Sequence, residues 1–243
     1  MAAFFRQRYQ ARFASTEEDV VAAQRLRALC FRGDAGLSDG DRFDDICAHV
    51  LVEDSRVNNS LVCTFRILPF QNGADVVSSY AAQYYELSAL QAYPGKLVEM
   101  GRFCVAPDLR DPDIIRAAWR AMTDYVQQNG VEMLFGCSSF KGVETADHLD
   151  AFALLAAGHL APRRWLPRVK APSVFRFARR LRLIKPDRRS ALLAMPPLLR
   201  TYLVMGGWVS DHAVVDRDLN TMHVFTGLEI GQIPAARLRV LGV

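Results

Sequence analysis

Leu97–Val105 reads Leu-Val-Glu-Met-Gly-Arg-Phe-Cys-Val. Its apolar residues fall on both faces of an extended segment, the pattern of a strand deep inside a sheet. A strand is expected over Lys96–Val105. Gly101 within it marks a bulge, or a place where another backbone or a ligand comes close. Glu99 and Arg102 are three apart, so a regular strand sends them to opposite faces. A bulge at Gly101 would bring both to one side. A carboxylate and a guanidinium so placed suit acyl transfer to an amine. The carboxylate takes the amine proton, and free N–H groups of the strand, or the guanidinium, meet the tetrahedral oxyanion. The competing reading is a buried ion pair within the sheet, and from these five residues alone it is the stronger one.

Upstream, Thr16–Phe31 has a cap residue, acids in its first turn and an apolar face of Val20, Ala23, Leu26 and Cys30, which together predict a helix. A polar loop, Leu37–Asp45, follows. Its acids Asp41, Asp44 and Asp45 suit a cationic substrate or a plain solvated turn. His49–Glu53 and Leu61–Leu68 are strand-like, and Asn72-Gly73 predicts a hairpin into a strand at Asp75–Tyr80. Downstream, the loop Ala106–Asp113 opens a helix over about Ile114–Gln128. Strands at Met133–Ser138, Trp208–Val215 and Met222–Ile230 and helices at Thr145–Ala157 and Leu198–Met205 complete the order. That order predicts an α/β (α+β) fold with a mixed sheet and one crossover helix at its centre.

The chain has 243 residues and half of them are hydrophobic, enough for a normal core. The five cysteines are scattered with no CxxC pair, which points to buried thiols in a reducing compartment and away from a metal cluster. The start, MAAFFRQRYQ, lacks the pattern of a secretory signal, and no apolar run has a spanning length. A cytoplasmic location, without metal or resident cofactor, is expected. The net charge of +4 hides an asymmetry. Arg163–Arg189 holds eleven Lys/Arg and one acid, a local +10, while nineteen bases and twenty-five acids elsewhere give −6. Prolines at 162, 167, 172 and 186 keep that basic stretch from being one helix.

Other motifs carry little. His49-x4-Asp54 places its two side chains on opposite faces of a strand. Ser138-Ser139 lacks a nucleophile-elbow context. Cys104 and Cys137 sit in apolar strands, where a thiol is inert. The loop Ala106–Asp113 opens a helix, a natural anion site, but has no glycine for close approach of a pyrophosphate; Arg110 there suits a single phosphate.

Taken in order, Arg27-x3-Phe31, Asp41-x2-Asp44, Arg66-Ile67-Leu68-Pro69 and Glu99-x2-Arg102-Phe103 resemble the acyl-homoserine-lactone synthases. Tyr80–Leu87 (YAAQYYEL), Leu134–Phe140 (LFGCSSF) and Pro196–Leu203 (PPLLRTYL) look closer to a sister family, the bacterial ornithine–acyl-ACP N-acyltransferases, or lyso-ornithine lipid synthases. The resemblance spans about Arg25 to Ile230 and reverses the weighting of the Glu99 strand. It implies a single GNAT-like domain over 1–243 with a basic insertion at about 162–189. It implies transfer of a 3-hydroxyacyl chain from acyl carrier protein (ACP), a co-substrate and not a cofactor, to the α-amine of ornithine. Glu99 and Arg102 become the catalytic candidates, with Arg27, Phe31, Asp41, Asp44, Arg66, Phe103 and Arg110 as substrate-binding candidates. The tryptophan expected between Phe31 and Asp41 in lactone synthases is absent here, which disfavours that reading. A lactone-type synthase, an acyltransferase for another amino acid, and a silent ACP- or membrane-binding module are the alternatives. The basic stretch, where Trp165, Leu166, Val174, Phe175, Phe177, Leu181, Leu183 and Ile184 interleave with arginines, suits ACP or an anionic membrane surface, with peripheral attachment at its inner face. No recognition module accompanies the charge, so nucleic acid is not expected.

Overall fold

The computed structural model describes residues 7–234. In chain order the elements are β1 (Tyr9–Phe13), α1 (Glu17–Arg32), β2 (Ala48–Asp54), β3 (Ser60–Phe70), β4 (Tyr85–Glu86), α2 (Ser88–Gln91), β5 (Leu97–Val105) and α3 (Pro112–Asn129). They continue with β6 (Met133–Lys141), α4 (Leu149–Gly158), β7 (Arg168–Val169), β8 (Val174–Phe175), α5 (Phe177–Arg180), α6 (Arg188–Ala194), α7 (Pro197–Val204), β9 (Trp208–Asp216) and β10 (Thr221–Glu229). This is the expected mixed α/β fold, with a mostly antiparallel sheet flanked by helices.

Two compact units divide the chain. The first takes the chain up to Leu68 together with Met100–Asn129. Its strands run in the order β1-β2-β3-β5, with β1 and β2 antiparallel from Tyr9 opposite Asp54 to Phe13 opposite Val50. The predicted cap holds: the Thr16 side chain accepts from the Asp19 N–H at 3.2 Å, and Gly33 ends α1 at φ +76°, where a side chain would be strained. The side of α1 that faces inward carries Ala23, Leu26 and Ala28, and also Arg27. α3 is amphipathic as expected and buries Ile114, Ala118, Trp119, Met122 and Val126.

Among the described residues the second unit takes Pro69–Glu99 and 130–234. Its strand order is β5-β6-β10-β9-β8. β10 pairs antiparallel with β6 along its whole length, from Thr221 opposite Lys141 to Glu229 opposite Met133. Against β9 the register shifts between Val224 and Thr226. Gly227 is required there, because a Cβ would run into the Trp208 ring. Phe140, Phe152, Phe177, Leu199 and Met222 fill the core between this sheet and the helices. β5 is shared: Leu97–Glu99 belong to the second unit and Met100–Val105 to the first.

One element differs from expectation. Asn72-Gly73 does not turn a hairpin, and Asp75–Tyr80 is no strand. Gly73–Ser78 is a 3-10 helix, capped by the Asn72 side chain accepting from Ala74 N–H at 2.9 Å. Gly73 is needed for close approach, not for a turn: its N–H donates to the Tyr93 carbonyl at 2.8 Å, and a Cβ would meet the Leu90 carbonyl. β1, β4, β7 and β8 have no counterpart in the sequence reading. Three of them, β4, β7 and β8, are two residues long, too short for a period of two to register.

Candidate active site

In the first unit the loop after α1 folds its carboxylates onto three arginines. The Arg27 side chain is fully buried. Its Nε reaches Asp39 Oδ2 at 3.1 Å, and its two terminal nitrogens take both oxygens of Asp44, at 2.7 and 3.0 Å. Arg27 also donates to the Asp39 carbonyl. Arg66, on β3, bridges Asp41 and Asp44, 2.6 Å from each. Arg102, on β5, sits 3.3 Å from Asp39 and 3.2 Å from Asp41, and its guanidinium lies 5.7 Å from the Phe31 ring centre. Three guanidinium groups thus meet three carboxylates in a closed network. Such buried charges survive only because each is paired and hydrogen-bonded.

The electrostatics follow. Burial alone would raise the Asp44 carboxyl, but Arg27 and Arg66 outweigh it and hold the group well below the usual range. Burial would likewise raise Asp41, and Arg66, the Phe43 N–H and Arg102 together lower it. Burial would favour a neutral Arg66; Asp41 and Asp44 reverse that and raise it. His49 is lowered, mainly by burial. It faces the Asp44 carbonyl at 3.2 Å, whereas Asp54 is taken by Arg8 at 2.7 Å, so the His49-x4-Asp54 pair has no joint role. The network reaches solvent at Asp41 and Arg102, whose side chains are 23% and 12% exposed, against 0% for Arg27 and 3% for Arg66. Arg27 and Arg66 therefore fix the carboxylates, and Asp41 and Arg102 present the network outward. Phe103 stacks on Phe65 at 5.6 Å, and Arg110 is exposed in the turn before α3.

The unusual backbone of β5 sits one residue past the glycine. Gly101 has no positive φ; Arg102 does, at +52°. A left-handed conformation costs a non-glycine residue about 1–2 kcal/mol. Asp39 and Asp41 hold the Arg102 side chain in it. Strain of this kind, kept by fixed partners, accumulates at functional sites.

In the second unit Glu99 is buried, and each of its oxygens accepts one backbone N–H: Tyr80 at 2.8 Å and Ala81 at 2.7 Å. The turn that provides them is anchored well. The Tyr80 and Tyr84 rings pack at 5.5 Å, and Tyr84 meets the His223 ring edge-on at 4.9 Å. Tyr85 donates its hydroxyl to the His223 carbonyl at 2.8 Å, and Lys170 caps the Ala82 carbonyl at 2.6 Å. Glu99 is thus a carboxylate held in a fixed orientation by two backbone amides. Such a group can take a proton from a bound amine, directly or through water.

Sequence reasoning missed Asp39 and the Tyr80 and Ala81 amides. Asp39 stood in a loop that looked solvated, and the one signal for it is that four acids, Asp39, Asp41, Asp44 and Asp45, crowd the loop after a helix carrying an inward-facing arginine. Backbone donors have no signature in side-chain identity. Among the described residues no group of histidine, cysteine and carboxylate side chains has the arrangement of a metal site.

Comparison with known proteins decides the family. The chain is 34% identical over 232 residues to the L-ornithine N(alpha)-acyltransferase of Rhodobacter capsulatus, covering 89% of this chain and 88% of that one. The chain belongs to this acyltransferase family. A second member, the L-ornithine N(alpha)-acyltransferase of Rhizobium meliloti, is 30% identical over 252 residues, covering 96% and 84% of the two chains. The acetyltransferase (GNAT) domain family matches residues 14–120, which run from the start of α1 into α3. Among solved structures, FeeM, an N-acyl amino acid synthase from uncultured soil microbes, is similar in fold. Its TM-score is 0.54 at 13% identity, over 96% of this chain and all of that one.

Proposed function

We propose that this acyltransferase moves a 3-hydroxy fatty acyl chain from acyl carrier protein to the α-amine of ornithine, giving a lyso-ornithine lipid. The observation that carries the acceptor is the identity with named ornithine acyltransferases along nearly the whole of both chains. In the reaction the amine nitrogen attacks the thioester carbonyl. An oxyanion forms, the C–S bond breaks and the thiol leaves with a proton, so no acyl-enzyme is needed. Glu99 takes the proton that the amine loses. Arg102 and Asp41, the outward members of the arginine network, orient the reacting groups. Arg27, Arg66, Asp44 and Phe31 hold them in place.

Two features support a carrier-protein thioester over coenzyme A. The loop 106–113 has no glycine. The start of α3 already carries a carboxylate, because Asp111 accepts from the Asp113 N–H at 3.0 Å and also from Tyr9 at 3.0 Å. A helix N-terminus whose donors face an internal anion is a poor seat for a pyrophosphate.

The test is incubation with 3-hydroxyacyl-carrier protein and a panel of amino acids, read by product mass. An acyl-ornithine is expected; a lactone, or acylation of a different amino acid only, refutes the reading. Glu99→Gln keeps the shape but turns an amide NH2 against a backbone N–H. A loss of turnover of about 10²–10⁴-fold is expected, with carrier-protein binding retained. A fully active variant removes Glu99 from the mechanism.

A further inference from the structure

The apolar residues of the basic stretch, expected to form one interface, differ in burial, with Trp165, Leu166 and Val174 half-buried between two extremes. Phe175, Phe177 and Leu181 are buried in the core of the second unit, where Phe177 stacks on Phe152 at 5.1 Å. Leu183 and Ile184 are 85% and 52% exposed. They lie in Arg182-Leu183-Ile184-Lys185, an aliphatic pair bracketed by cations. Arg179, Arg180, Arg188 and Arg189 flank this tip. Like Arg182 and Lys185 they are exposed, and none of the six has an ion pair among the described residues. Asp187, the acid of the stretch, is already used: it caps α6 through the Ser190 N–H at 2.7 Å.

The tip is exposed but its base is fixed. Phe177 and Leu181 anchor the side before it. On the side after it, the Asp187 N–H donates to the Asp150 carboxylate at 2.8 Å, and α6 buries Ala191 against α4. An anchored turn that holds two aliphatic side chains in water has nothing within its own unit to gain from them. Cations alone suit any acidic partner. Aliphatic side chains set between them add the second signal that stable attachment to a bilayer needs.

We propose that the Arg182–Lys185 tip docks on an anionic lipid bilayer. Leu183 and Ile184 enter the boundary between headgroups and acyl chains, and the six flanking cations meet the lipid phosphates. The inference does not depend on the acceptor amino acid. It requires an acidic bilayer surface and no spanning segment, and among the described residues no helix is long and apolar enough to cross a membrane.

The experiment is co-sedimentation of the full chain with vesicles of phosphatidylcholine, alone or mixed with phosphatidylglycerol. The protein is expected to pellet with the mixed vesicles only. The double variants Leu183→Ser/Ile184→Ser and Arg182→Glu/Lys185→Glu are each expected to weaken partitioning at least about tenfold, with unchanged melting temperatures because all four side chains are exposed. Three results overturn the proposal. One is wild-type protein that stays in solution with anionic vesicles. Another is a Leu183/Ile184 variant that pellets as well as wild type. The third is charge-reversed protein that still pellets but no longer accepts acyl groups from carrier protein, which reassigns the patch to that protein.

Discussion

Arg27 and Arg182 carry the same guanidinium into opposite surroundings. Arg27 has no exposed side-chain surface and is locked between Asp39 and Asp44. Arg182 is exposed, with no ion pair among the described residues. The contrast extends to their neighbours: Arg66 and Arg102 share the carboxylates of Arg27, whereas Arg179, Arg180 and Lys185 stand beside exposed aliphatic side chains. A buried cation with fixed partners sets geometry inside its unit. An exposed cation without them is available to something outside the chain.

The largest effect should come from breaking the buried set. Arg27→Met removes the fully buried cation that Asp39 and Asp44 share, and leaves both buried carboxylates under-compensated. A loss of about 3–5 kcal/mol is expected in a urea melt, and a variant of wild-type stability would mean that the network is not a structural unit. His223 offers a third case, a buried base kept neutral. Burial, with the neighbouring His212, lowers it from 6.5 to about 4. The unfolded chain takes up this proton near pH 6.5, and the folded chain does not until about pH 4. The stability it protects is therefore whole above pH 6.5 and falls as the pH drops toward 4. At about 1.4 kcal/mol per pH unit the loss is about 3 kcal/mol. Urea melts across that range should show the slope, and His223→Gln should flatten it.

Asp39→Asn is the milder test of the network. It keeps the shape but removes the charge facing Arg27 and Arg102, and a loss of about 2 kcal/mol is expected by chemical denaturation. The smallest effect sharpens the other side of the comparison. Arg179→Glu with Arg182→Glu should shift folding stability by no more than about 0.5 kcal/mol, because among the described residues neither side chain has an ion pair to lose. A large shift would show that the basic stretch holds the fold together.

Much of the fold was legible because long elements announce themselves. The Thr16 cap and Gly33 stop bound α1 within a residue of expectation, and the β5, β9 and β10 runs are rich in strand-forming residues. Asp75–Tyr80 misled because Asn-Gly serves a capped 3-10 turn as well as a hairpin. Only the carbonyls of Leu90 and Tyr93, distant in sequence, select between them. The site was legible as a set of residue types: Glu99, Arg102, Arg27, Asp44 and Arg66 all sit in defined, buried or half-buried positions. Their partners were not legible, since Asp39 and the Tyr80 and Ala81 amides meet them only through long-range folding.

By itself the sequence determined the succession of helices and strands, the charged residues of the Leu97–Val105 strand and the +10 excess of the basic stretch. These are local or compositional properties, carried by periodicity, caps and counting. Tertiary structure alone decided that Arg102, not Gly101, takes the left-handed conformation, and that Glu99 rests on two backbone amides. It alone divided the basic stretch into buried phenylalanines and an exposed Leu183–Ile184 tip. Each of those outcomes depends on which groups from elsewhere in the chain arrive to accept a hydrogen bond, pair a charge or cover a side chain, and no local pattern encodes their arrival.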